Sequence, residues 1–170
     1  MSLDEALTTL LTAYHGYYDV NRESPLPPFA AEAEFHQHDE RYFLMRSAKL
    51  SESDSRETVY FALEEELSLE RAHALAETAW QDGLKRYTPE WNHRGADVIL
   101  IVLTGRLSAD AAKGIPKIRR GKSYALSLKG WSNFRLIAFD VHSGAMAYNR
   151  LGQPLTDVLR NTLCKKGNGQ

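Results

Sequence analysis

The run "VILIVL", residues 98–103, places the strongest constraint on the fold. Its six apolar residues show no alternation, so a strand built from them is apolar on both faces. Such a strand fits the middle of a sheet that is covered on both sides. Six residues also fall far short of the about 20 that a membrane-spanning helix needs. The run therefore predicts a central strand within "DVILIVLTG", residues 97–105, with helices on both faces of its sheet.

Helical segments of the right kind lie on either side. Ser2 and Glu5 have the spacing of a capping box. Leu3, Ala6, Leu7, Leu10, Leu11, Tyr14, Tyr17 and Tyr18 then follow a helical period, which predicts a helix from Ser2 to about Asp19. Ser68 is placed to cap a second helix whose apolar face is Leu69, Ala72, Leu75, Ala76, Ala79, Trp80, Leu84 and Tyr87, and which must end before Pro89. Ser108 caps a short third helix, "ADAAK". Pro154 suits a first helical position, and Leu155, Val158, Leu159 and Leu163 support a closing helix.

The remaining segments read as strands and turns. "ESPLPPF" is a proline-rich bend that cannot continue the first helix. "AEAEFHQ" and "RYFLMRSAKL" flank the polar "HDE" as a hairpin would, and "TVYFALEEE" follows as a third strand. "SYALSLKG", "FRLIAFD" and "AMAYNR" complete the set, the last two joined through "HSG". The expectation is an α/β (α+β) domain over residues 1–166, with a mixed central sheet flanked by helices in the order αβββαβαβββα. Residues 167–170 are expected to form a flexible C-terminal tail.

Charge is unevenly spread. The whole chain carries a formal net charge of -1, which singles out no partner class. Yet residues 30–70 sum to -7, and residues 106–135 sum to +7. The basic stretch "KGIPKIRRGKSYALSLKGWSNFR" mixes its cations with Tyr124, Trp131 and Phe134. Phosphates need cationic donors, and bases stack on exposed aromatics. Lys117, Arg119, Arg120, Lys122, Lys129, Trp131 and Arg135 are therefore the candidate anion or nucleic-acid contacts. The competing reading keeps Trp131 and Phe134 in the core while the basic side chains either face solvent or pair with residues 30–70. Pairing between copies would instead give a homo-oligomer.

A metal site is the rival chemistry. His36 and His38 are two residues apart and would share one face of a strand, with Asp39 beside them. Imidazole and carboxylate together suit zinc or manganese, so a divalent metal and a metal-dependent hydrolase follow from this reading. His93, Asp140 and His142 are candidate further ligands. The plain alternative is a solvated hairpin tip. Glu64–Glu66 precede a helix N-terminus, where the dipole favours acids. The lone Cys164 can form no internal disulfide and reads as a small buried side chain. The chain has no G-x-S-x-G elbow, Walker loop, dinucleotide fingerprint or C-x-x-C, and no cofactor is expected. An acidic N-terminus without a basic n-region and a single cysteine suggest a cytoplasmic protein, and the want of an apolar run long enough to span a bilayer suggests no membrane partner.

The αβββαβ order of the first hundred or so residues resembles that of restriction-endonuclease-like proteins. The resemblance implies an acid on the second core strand and an acid-x-Lys motif on the third, holding Mg²⁺. Here no lysine follows the acids of "TVYFALEEE", and Lys49 is preceded at two residues by Ser47. The motif is absent as written, which leaves a degenerate nuclease-like protein as what the resemblance allows. The tail "GWSNFRLIAFDVHSGAMAYNRLGQPL" is similar to segments of bacterial domains of unknown function, through a strand, a Ser-Gly turn and "NR-x-G". That resemblance implies no chemistry. The leading expectation is a non-enzymatic binding or interaction module whose partner is a polyanion or a protein, with its surface on residues 113–135.

Overall fold

The computed structural model describes residues 1–35, 56–89, 95–126 and 128–164. Among these, four α-helices pack on a mixed sheet of seven strands. The helices are α1 (Leu3–Tyr14), α2 (Leu69–Arg86), α3 (Ala109–Gly114) and α4 (Leu155–Leu163). The strands are β1 (Asp19–Asn21), β2 (Ala31–Phe35), β3 (Arg56–Glu64), β4 (Gly95–Thr104), β5 (Gly121–Ser123), β6 (Trp131–Asp140) and β7 (Met146–Tyr148).

The sheet order is β1-β2-β3-β4-β6-β5, with β7 also paired to β6. β4 runs parallel to β3 on one side and to β6 on the other, while β1, β2, β5 and β7 make antiparallel pairs. All ten residues of β4 are buried, as its two-sided apolar run requires. Ile99, Ile101 and Leu103 face α1 and α4; Val98, Leu100 and Val102 face α2 and α3. Each half-core draws on the neighbouring strands in the same alternation, with Phe61 and Ile137 on the first face and Tyr60 and Leu136 on the second.

The expected caps form. Ser2 accepts from the Glu5 N–H while the Glu5 carboxylate accepts from the Ser2 N–H. Ser68 and Ser108 accept from Arg71 and Ala111. The element order is the expected one, but its strands are not all the expected segments. The first helix stops at Tyr14, and residues 19–21 leave it to become β1, held by cross-strand partners at Glu34, Ala33 and Glu32. "AEAEFHQ" supplies β2 as far as Phe35, and "RYFLMRSAKL" lies outside the described residues.

"SYALSLKG" is a strand only at Ser123 and continues as a loop. The reason is local. Ala125 and Leu126 sit at φ 47° and 55°, left-handed values that end an extended strand. Pro154 takes the N-cap position of α4 rather than the first helical one. The proposed tail, residues 167–170, lies outside the described residues.

Candidate anion-binding surface

The basic segment occupies the sheet edge farthest from the acidic one. Ile115 and Ile118 are buried and pin the stretch between α3 and β5, so that Lys117 and Arg119 project outward and are exposed. Asn149 reinforces the pin from below. Its side-chain amide donates to the carbonyls of Ile118 and Phe134, and its carbonyl accepts from Leu136 and Gly152 N–H. Gly152 has its own reason: a Cβ there would meet the Leu136 carbonyl oxygen at 2.3 Å. The "NR-x-G" tetrad, residues 149–152, is thus a structural staple under the segment.

β5 then pairs with the start of β6, placing Lys122 opposite Ser132 and Ser123 opposite Trp131. Lys122 is exposed, with its ammonium 5.4 Å from the centre of the Tyr124 ring. Tyr124 itself is a clamp. Its ring packs 5.3 Å from that of Tyr87 at the end of α2, and its hydroxyl bonds Ser132 at 2.9 Å. Lys129 is half-buried in the loop, and its carbonyl accepts from the Tyr87 hydroxyl. Trp131 is 42% exposed, whereas Phe134 is fully buried. The competing core reading therefore holds for one aromatic and fails for the other.

Two of the candidate cations are engaged within the fold. Arg120 reaches Glu77 of α2 at 3.5 Å. Arg135 is buried beneath α4. Its Nε lies 3.0 Å from Asp97, and it donates to the Leu151 carbonyl at 2.7 Å. Strand alternation places Arg135 on the same face as Ile137, under helix cover, so it belongs to the interior. Lys117, Arg119 and Lys122 form no ion pair among the described residues.

The acidic segment is engaged elsewhere. Glu32 and Glu34 of β2 both pair with Arg86 at 2.8 Å, and Arg86 also pairs with Asp82 at 2.8 Å. Burial works against the Arg86 charge, but its hydrogen bonds to Glu34 and Glu32 outweigh that and hold its pKa above the ordinary value. Tyr60 completes the cluster by donating to Asp82 at 2.6 Å. Burial first, and that hydrogen bond second, push its pKa far up. Glu57 accepts from Tyr18, and Glu64 pairs with Arg71 at 2.7 Å. Glu66 reaches across to Arg106 at 3.9 Å, between two exposed side chains. Strands lie about 4.8 Å apart, so β2 and β5, four steps apart in the sheet, are separated by about 19 Å.

Of the residues in the metal reading, only Asp140 and His142 are described. His36, His38, Asp39 and His93 lie outside the described residues, and among the described residues no cluster of three His, Cys, Asp or Glu could hold an ion. Asp140 closes β6, and its carboxylate accepts from the N–H groups of Leu107, His142 and Ser143. Burial pushes its pKa up, but these backbone donors prevail and hold it below the usual carboxylate range. The His142 ring is tied through Nδ1 to the Gly105 carbonyl, 2.8 Å away. Both residues sit where β4 and β6 end. Phe35, the last described residue before His36, pairs with Glu57 near the start of β3, at the opposite end of the sheet.

No curated protein and no solved structure matches the chain, so the restriction-endonuclease likeness is not confirmed. The family model described as a domain of unknown function, DUF8052, matches residues 3–161, which takes in α1, the whole sheet, the basic edge and most of α4. The chain belongs to that family.

Proposed function

We propose that this domain is a binding module that contacts a polyanion through its β5 edge, with Lys117, Arg119 and Lys122 as the anion contacts. One observation carries the reading. These three cations are exposed and make no ion pair among the described residues, and β5 lies about 19 Å across the sheet from β2 with its Glu32 and Glu34. Exposed cations without internal partners are the electrostatic footprint of phosphate recognition. The scaffold beneath them is rigid, since Ile118, Asn149 and Tyr124 are each tied to β6 or α2. The setting that goes with this reading is the cytoplasm.

The test is direct. Binding of single- and double-stranded DNA and RNA oligonucleotides is measured at low and moderate salt. Phosphate contacts predict measurable binding at low salt that weakens steeply as salt rises. A chain that binds none of these probes at low salt would refute the reading for nucleic acid.

A further inference from the structure

The loop between β5 and β6 carries side chains that phosphate contacts alone leave without a use. Leu126 is 96% exposed and Leu128 64% exposed. Large apolar side chains that stand out singly need no explanation, but these two share one hairpin tip with Trp131 close behind. The tip is also held in a costly conformation. Ala125 and Leu126 both have positive φ, where glycine or asparagine is the cheaper residue. The loop is closed by Leu128 N–H to the Ala125 carbonyl, Lys129 N–H to the Tyr124 carbonyl and Tyr124 N–H to the Gly130 carbonyl. A strained turn therefore carries a leucine at its most exposed point.

Charge and aromatic character follow within a short reach of the tip. Lys122 is four residues before Leu126, and Trp131 three after Leu128, so they lie at most about 14 Å and 11 Å behind the tip. The finger has two leucines at its end and a lysine and a tryptophan behind them, with Lys117 and Arg119 on the approach to β5. An anionic bilayer presents the same layers in reverse: anionic headgroups outside, an interface that favours Trp, and acyl chains beneath.

We infer that this hairpin docks the domain onto an anionic lipid surface tip first, with Leu126 and Leu128 entering the acyl boundary and Lys117, Arg119 and Lys122 meeting the headgroups. This rests on the anion-binding reading and names its partner. Nucleic acid would satisfy the cations but offers two leucines no apolar phase. Among the described residues no helix is long and apolar enough to cross a membrane. The expectation of no membrane partner came from the absence of such a span, and it does not bear on a surface contact.

The experiment compares the full chain with two variants on two kinds of probe. Co-sedimentation is measured at low salt with vesicles of mixed phosphatidylcholine and phosphatidylglycerol, and with vesicles of phosphatidylcholine alone. Oligonucleotide binding is measured on the same preparations, and thermal melts confirm that each variant is folded. The chain is expected to sediment with the mixed vesicles and not with the neutral ones. The Leu126→Ser/Leu128→Ser variant should lose about tenfold or more in vesicle affinity and keep its oligonucleotide binding. The Lys117→Gln/Lys122→Gln variant should lose about fivefold per lysine on vesicles, and should weaken on oligonucleotides too. Vesicle binding that ignores the leucine substitutions would overturn the inference. Oligonucleotide binding with no vesicle binding would overturn it as well, leaving nucleic acid as the partner. Binding to neither probe would end both this inference and the anion-binding reading.

Discussion

Between β2 and α2, three carboxylates close on one guanidinium. Glu32, Glu34 and Asp82 each lie 2.8 Å from Arg86, and Glu32 is only 4% exposed. At the β5 edge, Lys117, Arg119 and Lys122 face water, and the nearby apolar side chains Leu126 and Leu128 face water too. The two regions carry equal and opposite charge in the sequence, -7 and +7, yet they are used differently. Glu32 and Glu34 hold β2 to α2, whereas Lys117, Arg119 and Lys122 are displayed. Segment charge alone does not distinguish these uses. The fraction of that charge already engaged by the fold does.

The comparison breaks first at Arg86. Arg86→Ala would remove the guanidinium that the buried Glu32 shares with Glu34 and Asp82, at a cost of about 4 kcal/mol by chemical denaturation. Arg135→Ala should follow at about 3 kcal/mol, because it removes the buried guanidinium paired with the Asp97 carboxylate. A loss below about 1 kcal/mol in either variant would mean that its network contributes little to the fold. Arg135 thus belongs energetically with Arg86, although it lies in the basic segment.

That point marks how far the sequence could be read. The serine caps were legible because Ser2, Ser68 and Ser108 each bond an N–H three residues on. β4 was legible because its residues are apolar on both faces. β1 was not, since its three residues are extended only through pairing with Glu32–Glu34, more than ten residues away. "SYALSLKG" alternates like a strand, but left-handed backbone at Ala125 and Leu126 turns it into a loop, and nothing in the pattern signals that. Arg135 was read as a surface cation because its partner, Asp97, is 38 residues away. Of the candidate site, Lys117, Arg119, Lys122 and Trp131 were legible as a basic, aromatic cluster. The apolar tip was not, because "SYALSLKG" reads as a strand, with no tip in it.

Smaller effects sharpen the contrast. Leu126→Gly relieves left-handed strain and should raise stability by up to about 1 kcal/mol while weakening any contact the tip makes. A thermal melt reports the first effect and vesicle sedimentation the second. Asp140 adds a pH-confined effect. Its folded pKa is held below the unfolded value of about 3.9, so its contribution is present above that pH and is lost as pH falls through the folded pKa. Asp140→Asn should therefore flatten the acid limb of a stability-versus-pH curve, and an unchanged limb would contradict the backbone-donor account. The smallest expected effect is on the displayed cations. Lys117→Gln, Arg119→Gln and Lys122→Gln should each change stability by less than about 0.5 kcal/mol.

Their effect on binding is the most direct measurement of the central claim. Affinity for a single-stranded oligonucleotide is followed as a function of salt for the natural chain and for the Lys117→Gln/Arg119→Gln/Lys122→Gln variant. The account predicts that log affinity falls linearly with log salt in the natural chain. In the variant the slope should be shallower by about 0.7 for each phosphate contact removed, and low-salt affinity should be lost. A variant with the natural slope and affinity, or a natural chain that binds neither this oligonucleotide nor anionic vesicles at low salt, would contradict the assignment of the β5 edge as the anion-binding surface.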